Sequence, residues 1–114
     1  WEALIFACHH KLNNLTVLVD HNNLQGFGST ADVASMSPLW DRLKGFELDL
    51  QVIDGHDPIA IRAALLSDQK RLRIIVLRTV KGRGVSFMEN RMDSHYLPLT
   101  EPQFHLALKE LEAL

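Results

Sequence analysis

Apolar residues recur at helical spacing in the first twelve residues, "WEALIFACHHKL", where Trp1, Leu4, Ile5, Cys8 and Leu12 share one face. This predicts an opening helix, closed by a turn at Asn13-Asn14. The period then changes. Leu15 to Val19 is a short continuous apolar run, the mark of a buried strand. "FELDLQVID", residues 46–54, alternates through Leu48, Leu50 and Val52 and predicts a second strand, and "RLRIIVLRT", residues 71–79, a third. Over 36–45, Ser37 as N-cap, Pro38 as first helical residue and Gly45 as stop predict a short helix. Asp57-Pro58 opens another, with Ile59, Ile61, Ala64 and Leu65 apolar. Gly26 to Ala31 and residues 80–99 read as loops. Thr100-Glu101-Pro102-Gln103 fits a capping box, and Phe104, Ala107, Leu108, Leu111 and Leu114 form the expected buried stripe of the last helix.

Strands alternating with helices define βαβ units, so the expected fold class is α/β: a three-layer parallel sheet with helices on both faces. Leu15–Val19 and Arg73–Leu77 are nearly continuously apolar, as strands covered on both faces are. Three strands leave open edges, which predicts further or partner strands. The opening helix has no N-cap residue and no initiator Met, which predicts sequence upstream of Trp1.

Composition adds exclusions. A chain of 114 residues suits one domain, and the formal net charge of −2 without a basic run argues against nucleic acid. No apolar run approaches the roughly 20 residues of a membrane span. The single cysteine, Cys8, rules out an internal disulfide and fits a reducing, cytoplasmic setting.

Polar residues gather where each strand ends: Asp20-His21-Asn22-Asn23, then Asp54-Gly55-His56-Asp57, then Lys81-Gly82-Arg83-Gly84 after Thr79. In parallel sheets ligands bind outside the carboxyl ends of the strands, so these clusters predict a site on one rim. Asparagine oxygens and backbone carbonyls are hard donors, suited to Mg²⁺ or Ca²⁺. Lys81 could meet a phosphate, with Gly82 and Gly84 admitting it to the backbone. His95 could donate hydrogen bonds or transfer protons near neutral pH. A divalent cation with a diphosphate would use all of these. Each also has a structural reading. Asp and Asn after a strand cap turns, "DGHD" suits a turn and helix cap, and "KGRG" is common in solvated loops. His9, His10 and His105 read as surface or satisfied histidines, and Cys8 as a core thiol.

Through "WEALIFACHHKLNNLTVLVDHNNLQ", "VIDGHD", "RTVKGRGVSFMENRMDSHYLPLT" and a closing "FHLALKELE" helix, the chain resembles the thiamine-diphosphate domain of transketolases, the N-terminal section of that family. "NNLQGFG" and "FMEN" resemble its split-subunit branch. The resemblance implies thiamine diphosphate and Mg²⁺ as cofactors. It implies Asn22 and the Leu24 carbonyl as metal ligands, with Asp20 a turn or supporting residue. It also implies Lys81 and His95 near the diphosphate and the reacting centre, His95 being the catalytic histidine, and Glu2 near an interface between subunits. Family members carry a Gly-Asp-Gly before this region, whose Asp completes the metal site. It is absent from this sequence, so residues 1–114 correspond to the C-terminal part of the domain. The glutamate that activates the cofactor's aminopyrimidine belongs to the following pyrimidine-binding section. The expectation is therefore a ketol transferase component acting on sugar phosphates, inactive as an isolated chain. It would be completed by that C-terminal section, in the same or another chain, as a homodimer or heterotetramer. Rival expectations are a 1-deoxyxylulose-phosphate synthase, a 2-oxo acid dehydrogenase, or a non-catalytic scaffold subunit keeping the fold.

Overall fold

The computed structural model describes residues 1–114. In chain order the elements are α1 (Glu2–His9), β1 (Thr16–His21), β2 (Leu24–Gln25), β3 (Gly28–Ser29), α2 (Thr30–Ala34), α3 (Leu39–Lys44), β4 (Asp49–Asp54), α4 (Pro58–Leu66), β5 (Arg73–Arg78), α5 (Asp93–Tyr96) and α6 (Glu101–Leu111). They fall into two compact units. The first holds Trp1–His21 and Met36–Thr79, the second Asn22–Ser35 and Val80–Leu114.

The first unit is built on the most apolar strand. β5 lies in the centre of a three-stranded parallel sheet of order β1-β5-β4, as the expected α/β class requires. Register aligns His21 and Asp54 with Arg78, so all three strands end at one edge. Successive side chains of β5 alternate between faces. Ile74 and Val76 join Leu43 of α3 in the core, with Leu4, Val17, Val19, Trp40 and Leu50 packed around them. The opposite face carries α4, which explains how a charged residue is buried in a core strand. Arg73 is 1% exposed, and its guanidinium donates to the carbonyls of Ala64 (3.0 Å), Leu65 (3.3 Å), Ser67 (2.8 Å) and Asp68 (2.9 Å). These carbonyls close α4, where a helix leaves acceptors unpaired and favours a cation.

Several expectations need correction. β1 is an edge strand with Leu18 exposed, so only β5 is covered on both faces. α1 ends at His9 because Lys11 takes a left-handed conformation (φ 50°), so the helix stops before Asn13-Asn14, which form the expected turn, closed by Leu15 N–H donating to the Leu12 carbonyl at 3.0 Å. Its buried residue is Ala7, while Trp1 and Ile5 stay exposed. Ser37 does not cap α3; Pro38 holds that position with no side-chain bond. "DGHD" takes the structural role favoured for it: the Asp54 carboxylate accepts from His56 N–H (2.8 Å), and Asp57 caps α4 through Ile59 N–H (2.8 Å). Gly55 is required there, since a Cβ would lie 2.5 Å from Thr79 Cγ2 and 2.8 Å from Leu77 Cβ.

In the second unit, the expected 26–31 loop is a β2–β3 hairpin followed by α2, whose N-cap Ser29 accepts from Asp32 N–H (3.1 Å). The 80–99 loop contains α5. The capping box of α6 is present, with Gln103 Oε1 accepting from Thr100 N–H at 2.9 Å. The stripe behind it is not covered: Ala107 is buried, but Phe104, Leu108, Leu111 and Leu114 are exposed. α6 is instead tied to the 80–91 loop by polar bonds. The Glu110 carboxylate accepts from Ser86 Oγ (2.6 Å) and Ser86 N–H (2.7 Å). The Ser86 hydroxyl, then its N–H, hold the Glu110 carboxyl below the usual carboxylate range. A depressed folded value means this contribution is present above the unfolded value and fades as pH falls through the folded one. Glu110→Gln is therefore expected to lower the thermal midpoint at pH 7, with the gap to wild type closing below about pH 4, where carboxyls protonate. A gap of constant size down the pH series would show that the carboxylate charge is not involved.

Candidate active site

The polar turn after β1 has a specific backbone. Asn22 Oδ1 accepts from Leu24 N–H at 2.9 Å, and Asn23 adopts φ 62°, a left-handed conformation that asparagine tolerates. The Asn23 carbonyl accepts from Thr30 N–H at 2.9 Å, which closes the hairpin. Asn22 thus does cap a turn, and its second amide lone pair remains to meet a ligand. In the first unit, the Asp20 carboxylate accepts the Thr79 hydroxyl, clamping the ends of β1 and β5.

The Lys81 turn is equally constrained. Gly82 (φ 73°) and Gly84 (φ 89°) are left-handed, and a Cβ on Gly82 would lie 2.5 Å from the Met88 carbonyl oxygen. Lys81 O accepts from Asn90 N–H at 2.9 Å. The left-handed glycines therefore let this loop close on itself. Met88 occupies the space beside Gly82, and Leu111 and Leu114 the space beside Gly84.

Within the second unit these segments share one cavity of about 240 Å³, lined by Asn22, Leu24, Gln25, Gly26, Lys81, Met92 and His95. All four residues expected at the cofactor are among them. Glu2 is not; it lies in the first turn of α1 with its side chain 98% exposed. The histidine ring meets Tyr96 edge-on, centroids 4.6 Å apart, and the Tyr96 hydroxyl donates to the Gly26 carbonyl. Gln25, Gly26, Met92 and Tyr96 are additions that the sequence pattern does not single out. Gln25 carries its own signal, because its Nε2 is buried with no hydrogen-bond partner, an arrangement costly unless a ligand or water accepts from it.

The donor set fits a diphosphate and a hard cation together better than a cation alone. Lys81 brings an ammonium group of the kind that meets phosphate oxygens. The Asn22 amide oxygen and the Leu24 carbonyl are neutral oxygen donors of the kind Mg²⁺ accepts. No carboxylate lines the cavity, and no group of three His, Cys, Asp or Glu gathers anywhere in the chain. A cation here would take its negative charge from the diphosphate and from a carboxylate outside these residues.

With this geometry in place, comparison with known proteins is decisive for the family. Residues 1–112 match the family model of the transketolase thiamine diphosphate binding domain. The chain is 37% identical to a 6-deoxy-6-sulfo-D-fructose transketolase subunit from Clostridium sp. (strain MSTE9), over 98% of its own length and 42% of that protein's. It is 32% identical to an apulose-4-phosphate transketolase subunit from Actinobacillus succinogenes, over 98% and 41% respectively. The crystal structure of transketolase from Campylobacter jejuni superposes with a TM-score of 0.86 at 27% identity, covering 97% of this chain and 18% of that one. The chain belongs to the thiamine diphosphate binding domain of the transketolase family. It spans about two-fifths of the length of these two relatives.

Proposed function

We propose that this chain is a component of a thiamine diphosphate- and Mg²⁺-dependent transketolase-like enzyme that moves a two-carbon ketol unit from a ketose phosphate to an aldose. The observation that carries the reading is the single cavity lined by Asn22, Leu24, Lys81 and His95, residues far apart in sequence. When bound, thiamine diphosphate supplies the carbanion-stabilising chemistry, and the protein supplies position and electrostatics. The Asn22 amide oxygen and Leu24 carbonyl hold the cation, and Lys81 balances phosphate charge. His95 hydrogen-bonds substrate oxygens and holds or moves a proton there.

The remaining parts come from outside these residues: the metal-binding carboxylate from a Gly-Asp-Gly segment, and the pyrimidine-binding section from the same or another chain. The isolated 114-residue chain is then inactive, and the working form is a cytoplasmic homodimer or heterotetramer with Glu2 at a contact between subunits. Two relatives named as transketolase subunits support this division, as do the exposed apolar stripes of α4 and α6. The scaffold reading has one observation in its favour, the cavity's lack of a carboxylate. A ketol-transfer assay on the complete protein separates the two. Wild type should transfer, and His95→Gln should lose about 10²- to 10⁴-fold in kcat, the range of a positioned acid–base group. A wild-type protein that binds its partners yet transfers nothing would favour the scaffold.

A further inference from the structure

The cavity has two walls. One is the hairpin bearing Asn22, Leu24, Gln25 and Gly26, and the other is the α5 turn bearing His95. A side-chain hydrogen bond joins them, from the Tyr96 hydroxyl to the Gly26 carbonyl, across 70 residues of sequence. Tyr96 is also the neighbour on which the His95 ring rests, at an interplanar angle of 89°. A two-residue strand pair and a four-residue helix hold little conformation by themselves, because short elements gain few bonds against their ordering entropy.

We propose that Tyr96 is a positioning residue, whose hydroxyl latches the hairpin to α5 and so sets Asn22 and Leu24 against His95. The inference rests on the proposed cofactor reading of this cavity. Tyr96 is 61% exposed, so its ring is not needed to fill a core. The fit at Gly26 is close: a Cβ there would lie 3.1 Å from the Tyr96 hydroxyl oxygen. Gly26 has no left-handed φ, so alanine is tolerated by the backbone and acts only through that contact.

The test uses the complete protein with two variants, Tyr96→Phe, which deletes only the hydroxyl, and Gly26→Ala, which pushes on it. The first readout is amide hydrogen exchange over residues 22–29 with no cofactor present. The second is the dissociation constant of thiamine diphosphate at fixed Mg²⁺. Loss of one such bond should speed exchange about 2- to 10-fold and weaken cofactor binding by a similar factor in each variant. Exchange that rises with unchanged cofactor affinity would reduce Tyr96 to a loop tie and overturn the proposal, as would no change in either. Wild-type protein that fails to bind thiamine diphosphate would overturn the cofactor reading, and the latch's positioning role with it.

Discussion

Arg73→Met is expected to cost roughly 3–4 kcal/mol of stability, read as a lowered denaturation midpoint of the complete protein. The guanidinium sits in the central strand and supplies the closing turn of α4 with donors, making hydrogen bonds to four carbonyls. Methionine matches much of its length but removes this donor from all four carbonyls; Ala64 keeps a bond from the Ser67 hydroxyl (2.9 Å), while a carbonyl left fully orphaned loses about 1–3 kcal/mol. Partial hydration at the end of α4 keeps the total below their sum. Arg73→Lys should recover less than half, because one ammonium cannot span the acceptors that a planar fork reaches. If lysine restored the midpoint completely, charge rather than the fork would be the stabilising feature.

Asn22→Ala should weaken Mg²⁺-dependent thiamine diphosphate binding by at least about 100-fold, since even residues one step removed from a metal cost 10- to 100-fold. The substitution also removes the acceptor for Leu24 N–H, so a turn defect must be told from a lost ligand. Asn22→Ser does this. A hydroxyl can make the same kind of turn, more weakly, but lacks the amide oxygen's reach to a cation. Both variants should bind poorly, with binding partly recovered at high Mg²⁺. Full affinity in the serine variant would make Asn22 a turn former only.

What can be read from the sequence depends on how local each signal is. A polar cluster directly after an apolar run is visible in one dimension, so Asn22 and its neighbours stand out. "DGHD" is legible as a turn and cap because each of its bonds spans two residues. The β2–β3 hairpin and α5 are not legible, because elements of two and four residues are too short to show a period. Tyr96 and Gly26 meet only through the tertiary fold. Arg73 is hidden inside an apolar run because its partners are backbone carbonyls, which carry no residue-type signal. The stripes on α1 and α6 correctly mark helices, but periodicity says nothing of what covers a face. In this chain only Ala7 and Ala107 of those helices are buried.

On the proposed function, the cavity of Asn22, Leu24, Lys81 and His95 is a diphosphate and cation seat. Calorimetric titration of the complete protein with thiamine diphosphate, with Mg²⁺ and then with EDTA, tests it most directly. Saturable binding that requires Mg²⁺ and is lost in Asn22→Ala is expected. Binding that is absent, or indifferent to both Mg²⁺ and Asn22, would contradict it.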